Sequence, residues 1–402
     1  MEGKERRAEN GQPLTADFPA SIAHLSSPTL HSPPSTLHPP PSALRHSLSL
    51  FVVISLLLAA CASSTPTPEP TAVATIAPVS LPKPSQDWPP ILAPVDNPTT
   101  PATVELGRQL FYDPILSSTK AMACATCHHP DLGFSNGKQV STPRPGAPAR
   151  NVSALWNTGY NRFLLWDGRE ESLESQAKLP LTLPNEMAMT PAEVETRLAA
   201  IPAYVDLFAK AFGDGSADPV TFDNVTRALA AFQRTLISNN SAYDRYVAGD
   251  AGALTPEQQR GLQIFFSTKT QCAECHRPPT FTIENFRVVG VPSDDPGRAG
   301  VTEKGIAGAF KPPTLRNVAL SGPYMHNGSL ATLDDVVQFY AGGAGRANGF
   351  ARVDPLLKGF DLTAEEKADL VAFLKALTDE SQLPVVPDVA LSGLPVVERI
   401  RK

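Results

Sequence analysis

Two short motifs hold the side chains best suited to chemistry: Cys124-Ala-Thr-Cys127-His128 and Cys272-Ala-Glu-Cys275-His276. Two thiols three residues apart on one turn can each add to a porphyrin vinyl group. The next residue then projects its imidazole at the iron from the proximal side. This is the c-type haem attachment signature, and it occurs twice. Zinc is a poor alternative, because the two motifs lie far outside ribbon-like spacing and nothing else supplies thiolates. A thioredoxin-like redox pair wants a βαβ context that the pattern lacks, while structural disulfides stay open in an oxidising compartment.

The remaining ligand-type residues are few. Of five Cys, only Cys61 lies outside the motifs, and of eight His only His128, His129, His276 and His326 lie in the body, behind His24, His31, His38 and His46. Neither motif therefore has an obvious His for the far side of its iron. His129 directly follows a motif His, so it is expected to point away from the iron and to be exposed.

The elements that must position these motifs repeat. Thr100-Pro101 reads as N-cap and first helical residue, followed by Gly107, Gln109, Leu110 and Phe111 before Cys124. Thr255-Pro256 is followed in the same way by Gly261, Gln263, Ile264 and Phe265 before Cys272. This is an internal duplication. Val225, Leu229, Phe232 and Leu236 form a helical stripe, as do Leu370, Phe373, Leu374 and Leu377 behind the capping box Thr363 to Glu366. Both stripes read as core. Period-two runs are scarce, Val288-Val289 being among the few candidates. The expected fold is mainly α with long loops.

Composition bounds the rest. A net charge of −6 without a Lys/Arg-rich block argues against nucleic acid or an anionic lipid surface as the main partner. The 41 Pro are concentrated before Pro101, so the N-terminal part reads as unable to build a core. Leu48 to Ala60 is apolar, follows Arg45-His46 and suits the h-region of an export signal rather than a full span. Leu58-Ala59-Ala60-Cys61 resembles a bacterial lipobox, which would make Cys61 the lipidated first residue and the only membrane contact. A plain secretory signal or an uncleaved anchor are the alternatives. Residues 1–44 have no role in such a signal and point to a mis-assigned translation start. The predicted organisation is an export signal over 1–61, a Pro/Thr-rich linker over 62–98, haem domains over 99–248 and 249–385, and a tail over 386–402.

From about Pro101 to Asp379 the chain resembles the bacterial di-haem cytochrome c peroxidase family, which includes MauG-like enzymes. Beyond the haem motifs the resemblance rests on Arg150-Asn151, Phe163 through Trp166-Asp-Gly-Arg169, Leu173-Glu-x-Gln176 and Asn185-Glu186-Met187. It continues through Pro313-Thr-Leu-Arg-Asn317 and Pro323-Tyr-Met-His-Asn-Gly328. The resemblance implies two cytochrome c-like domains packed around an inter-haem interface. It implies two covalent haem c groups, with His128 and His276 as iron ligands and Trp166 between the haems. Gln176 and Glu186 match the polar residues over the peroxide-binding haem, where a carboxylate can move the peroxide proton. Asn151 with the carbonyls of Ser321 and Pro323 matches an inter-domain calcium site, Ser standing where Thr is more usual. His326 matches a histidine that hydrogen-bonds near the second haem without ligating it.

Two departures narrow the expectation. No His lies between Pro130 and Arg150, where many family members carry a distal His that must leave before peroxide binds. Tyr340 stands where those members carry the axial Met of the electron-accepting haem, as in the MauG-like branch; Met325 is the only other nearby thioether. The implied reaction is H2O2 reduction to water at the expense of an external donor, a small cytochrome c or a cupredoxin. In the MauG-like branch a partner protein is oxidised instead. A non-enzymatic di-haem carrier would want both irons six-coordinate and no acid–base group over either face, which Glu186 and the missing distal His argue against. Family members are often homodimers.

Overall fold

The computed structural model describes residues 88–141, 148–213, 215 and 218–400. The predicted export signal, Cys61 and the linker up to residue 87 lie outside the described residues. Among the described residues ten α-helices follow in order: α1 (Pro101–Tyr112), α2 (Cys124–Cys127), α3 (Leu173–Thr182), α4 (Pro191–Ala199), α5 (Pro202–Phe212), α6 (Phe222–Arg234), α7 (Ala242–Val247), α8 (Pro256–Phe265), α9 (Leu333–Ala341) and α10 (Ala364–Lys375). Among the described residues the only strands are β1 (Arg287–Val288) and β2 (Ala309–Phe310), antiparallel, with Arg287 opposite Phe310. The fold is mainly α, and no described helix is long and apolar enough to cross a membrane.

Local chemistry starts these helices where the sequence indicates. Thr100, Thr255 and Thr363 each cap a helix with a reciprocal capping box, and Pro101 and Pro256 stand in the first turn, where a missing N–H is harmless. The two apolar stripes lie on α6 and α10 and are buried, but Leu236 and Leu377 fall just past the helix ends.

The repeated glycine has a packing reason. A Cβ on Gly107 would collide with the carbonyl of Ala228, so α1 crosses α6 backbone to backbone. Gly261 stands in the same relation to the carbonyl of Asp369, so α8 crosses α10 the same way. Phe232 and Phe373 pack beside these two crossings, each in van der Waals range of a glycine that leaves room for it. Each crossing anchors a hydrophobic core, one containing Leu106, Phe111, Trp156, Phe208 and Phe232, the other Phe265, Phe281, Leu333 and Phe373.

The duplication extends beyond those helices. Residues 157–180 recur in conformation at 317–340. Asn157 and Asn317 are both left-handed, at φ 60° and 58°, and each opens a 3-10 turn. Leu165 and Met325 are left-handed too, inside loops closed by bridges from Leu164 to Glu170 and from Tyr324 to Leu330. Ser172 and Thr332 then cap α3 and α9.

Two segments without predicted elements are tied to the body. Asn97 is buried and donates to Glu174 and to the Arg227 carbonyl, while Trp88 packs edge-on against Tyr160. The tail packs Val386, Leu391, Leu394, Val396 and Val397 on the first core. Polar contacts fix it there: Ser392 Oγ donates to Asp113 at 2.6 Å, and Arg399 and the Ile400 N–H donate to the fully buried Asp131.

Candidate active site

Each Cys-x-x-Cys-His motif forms a short helical turn that ends at its histidine, with the His128 N–H donating to the Cys124 carbonyl and the His276 N–H to that of Cys272. The turn brings both thiols and the imidazole to one side, and each set lines a cavity. The first cavity, of about 260 Å³, contains Cys124, Cys127 and His128; the second, of about 400 Å³, contains Cys272, Cys275 and His276. Both are close to the usual range of cofactor pockets.

The donor chemistry fits a haem in each. His128 Nδ1 is bonded to the Phe134 carbonyl at 2.9 Å and His276 Nδ1 to that of Phe281 at 3.1 Å. That bond fixes the orientation of each ring and makes Nε2 the nitrogen that would be offered to a metal. Burial lowers both imidazole pKa values, that of His276 to about 4, which keeps them neutral as metal ligation requires. Burial also pushes the Cys124 thiol up to about 12 and that of Cys272 to about 11. Such thiols are poor nucleophiles for disulfide exchange, and the four form no disulfide.

Gln176, Pro180 and Glu186 also line the first cavity. Gln176 is presented by α3. Pro180 sits inside that helix and cannot bond back to the Gln176 carbonyl, so the helix ends soon after. The chain then folds over the helix end, with Met187 N–H on the Pro180 carbonyl and Met189 N–H on that of Leu181, and this turn carries Glu186 into the wall. Burial first, and then the nearby Glu186 carboxylate, raise the Cys127 pKa, so the carboxylate lies within electrostatic reach of the motif.

The second cavity is lined by Tyr340, partly buried on α9, together with Met325, His326, Asn151, Ser321 and Pro323. Burial, reinforced by the charges of Cys275 and Cys272, raises the Tyr340 phenol. Tyr340 and Pro180 occupy the same position in the duplicated segment, so a phenol faces one cavity where a proline faces the other. The sequence reading missed Pro180. Its signal was the register of Asn157 on Asn317 and Gly168 on Gly328, which aligns it with Tyr340.

Trp166 lines both cavities. Its indole N–H donates to the Asn151 carbonyl at 2.9 Å, and its ring meets His326 edge to face at 6.5 Å. His326 is buried, stacks on Phe310 at 4.0 Å, and leaves Nε2 without a partner. Burial lowers its pKa to about 4. Asn151 donates its side-chain N–H groups to the carbonyls of Lys138 and Gln139, which leaves its amide oxygen for another partner. Arg150 forks onto Asp295 at 2.6 and 2.8 Å and also bonds Asp167, joining the Trp166 loop to the β-ribbon. His129 is buried rather than exposed, because the tail covers it: its Nε2 meets the Glu398 carbonyl at 2.9 Å. It does not line the first cavity.

Residues 101–252 match the family model described as di-haem cytochrome c peroxidase. The chain is 39% identical over 307 residues to the methylamine utilization protein MauG of Methylorubrum extorquens, covering 74% of this chain and 84% of that protein. It is 34% identical over 297 residues to cytochrome c551 peroxidase of Pseudomonas aeruginosa, covering 70% and 81%. Among solved structures it resembles a MauG-like protein associated with microbial copper homeostasis, with TM-score 0.66 and 34% identity over 74% of this chain and 97% of that one. The di-haem peroxidase BthA of Burkholderia thailandensis is similar at TM-score 0.61 and 26% identity, covering 75% and 92%. With two motif-lined cavities joined by one tryptophan, and relatives of this identity and coverage, the chain belongs to the di-haem cytochrome c peroxidase family that includes MauG.

Proposed function

We propose that this protein is a di-haem peroxidase that reduces H2O2 to water with electrons from an external donor, and that the first cavity is where peroxide reacts. One observation carries the reading: the position that holds Tyr340 in the second cavity holds Pro180 in the first, and proline offers no iron ligand. Cys124 and Cys127, and Cys272 and Cys275, would attach the two groups, His128 and His276 would each supply an imidazole ligand, and Tyr340 would supply a phenol to the group in the second cavity. A haem held in the first cavity would supply the electrons that cleave the O–O bond. Glu186 takes the proton from the near oxygen of H2O2 and returns it to the far oxygen, which leaves as water. Gln176 donates from its amide to hold the peroxide beside that carboxylate. Trp166 spans the wall between the cavities and carries the electronic coupling. The haem domains are assigned to residues 99–248 and 249–385.

The donor is a small cytochrome c or cupredoxin. A second reading, oxidation of a partner protein as MauG-like enzymes do, is favoured by Tyr340, because tyrosinate ligation lowers a haem potential where Met/His ligation raises it. Asn151 with the carbonyls of Ser321 and Pro323 forms the proposed calcium site, three neutral oxygen donors suited to a hard cation. Export with attachment through Cys61 completes the assignment, and a homodimer is its proposed assembly.

Optical and EPR spectra of the oxidised protein, before and after one equivalent of H2O2, test the reading. One high-spin and one low-spin haem, both changed by peroxide alone, are expected. Two low-spin haems inert to peroxide until an electron is added would overturn the open first site.

A further inference from the structure

The cations that line the two cavities are not equivalent. Arg150 and Arg169 are paired with carboxylates, as are Lys269 with Glu366 and Arg287 with Asp354, and Lys358 is exposed. Lys311 differs from all of them. It is 7% exposed, lines both cavities, and makes no ion pair among the described residues. Its position is fixed by the end of β2 and by its backbone N–H on the Trp166 carbonyl at 2.8 Å. Burial lowers its pKa, and the charge of Glu284 only partly offsets this. An ammonium this buried, offset only in part by Glu284, is costly to keep charged. Such a site is stable with the charge kept only if an anion enters from a cavity.

We propose that Lys311 is the shared counter-cation for the propionate carboxylates of the haems in the two cavities, a positioning residue that sets the charge at their junction. The proposal rests on the reading that both cavities hold haem. Porphyrin propionates are the anions that such cofactors bring, and Lys311 is the buried cation that both cavities can reach. Its charge favours the reduced, more negative state of each haem, so both potentials should depend on it.

The test is a spectroelectrochemical titration of the full chain as wild type, Lys311→Met and Lys311→Arg, with haem content measured by mass. The expected result is two attached haems in all three proteins, both potentials lowered in Lys311→Met, and values near wild type in Lys311→Arg. A Lys311→Met protein with both haems attached and unchanged potentials would overturn the proposal, as would a shift confined to one haem. Loss of haem from Lys311→Met alone shifts the comparison to Lys311→Arg against Lys311→Gln, judged by the same criterion. A wild-type protein lacking either haem would overturn the cavity reading and the proposal with it.

Discussion

Trp166 and His326 occupy the same place in the two copies of a duplicated loop, and they meet at the junction of the cavities with ring centroids 6.5 Å apart. Asn151 ties them together: its carbonyl accepts the Trp166 indole N–H, and its own N–H donates to the His326 carbonyl at 2.7 Å. The duplicated halves therefore contact each other through equivalent positions. One copy supplies an oxidisable indole and the other a neutral imidazole.

If the indole carries the coupling between the haems, Trp166→Phe should keep both haems attached and slow the response of the second haem to peroxide. A slowing of roughly tenfold or more corresponds to about 1.4 kcal/mol of barrier. Stopped-flow absorbance at wavelengths that separate the two haems measures it. Equal rates in wild type and variant would show that the route avoids Trp166.

Glu186 stands in the turn folded over Pro180, in the wall of the cavity that His128 also lines. Glu186→Gln keeps the volume and removes the proton acceptor. Peroxide turnover is expected to fall roughly 10²-fold, the low end for general acid–base catalysis, with unchanged haem content. Steady-state peroxide reduction shows it, and an undiminished rate would remove Glu186 from the mechanism.

Tyr340→Met replaces the phenol in the second cavity, which His276 also lines, by a thioether. Met/His ligation raises haem potentials, so the second haem should become easier to reduce while the first moves little. Potentiometry with EPR distinguishes this from a Tyr340 that merely packs, where the substitution would leave the second haem's ligand signals as they were.

The Arg150–Asp295 fork joins the Trp166 loop to the β-ribbon, and Asp295 is nearly fully enclosed. Burial alone would raise the Asp295 pKa; hydrogen bonds from Arg150 and the Gly297 N–H outweigh it and hold the carboxyl below its ordinary value. A depressed folded-state pKa contributes stability that is present above the unfolded value, about 3.9, and is lost as pH falls through the folded value. Asp295→Asn should therefore cost about 3 kcal/mol at pH 7, and the gap to wild type should shrink in acid. Denaturant melts at both pH values measure it; a gap independent of pH would assign the cost to packing.

The haem motifs, the capped helices and the two core stripes were legible in the sequence because each depends on local spacing. Thr100, Thr255 and Thr363 announce their helices within four residues, and Cys124-x-x-Cys127-His128 is complete in five. What depended on distant parts of the chain was not legible. The burial of His129 is set by Glu398, and the role of Gly107 by Ala228. Arg316, noticed only as part of a motif, is fully buried because Asp244 and the Pro279 carbonyl meet its guanidinium there.

The C-terminal segment gives the sharpest test of those distant contacts. Its composition reads as a tail, yet Arg399 and the Ile400 N–H satisfy Asp131, a carboxylate with no solvent exposure, one turn after the first haem motif. Arg399→Met leaves that buried acceptor short of a charged donor, at an expected cost of about 2 kcal/mol. The Asp131 N–H also donates to Nδ1 of His129, the neighbour of His128, and the His128 Nδ1 in turn donates to the Phe134 carbonyl just beyond Asp131. The loss should therefore loosen the ring of His128 more than that of His276. Thermal melts followed separately in the bands of the two haems check this. Simultaneous loss of both haem signals, at the same temperature shift, would mean that the tail stabilises the whole body rather than the first site.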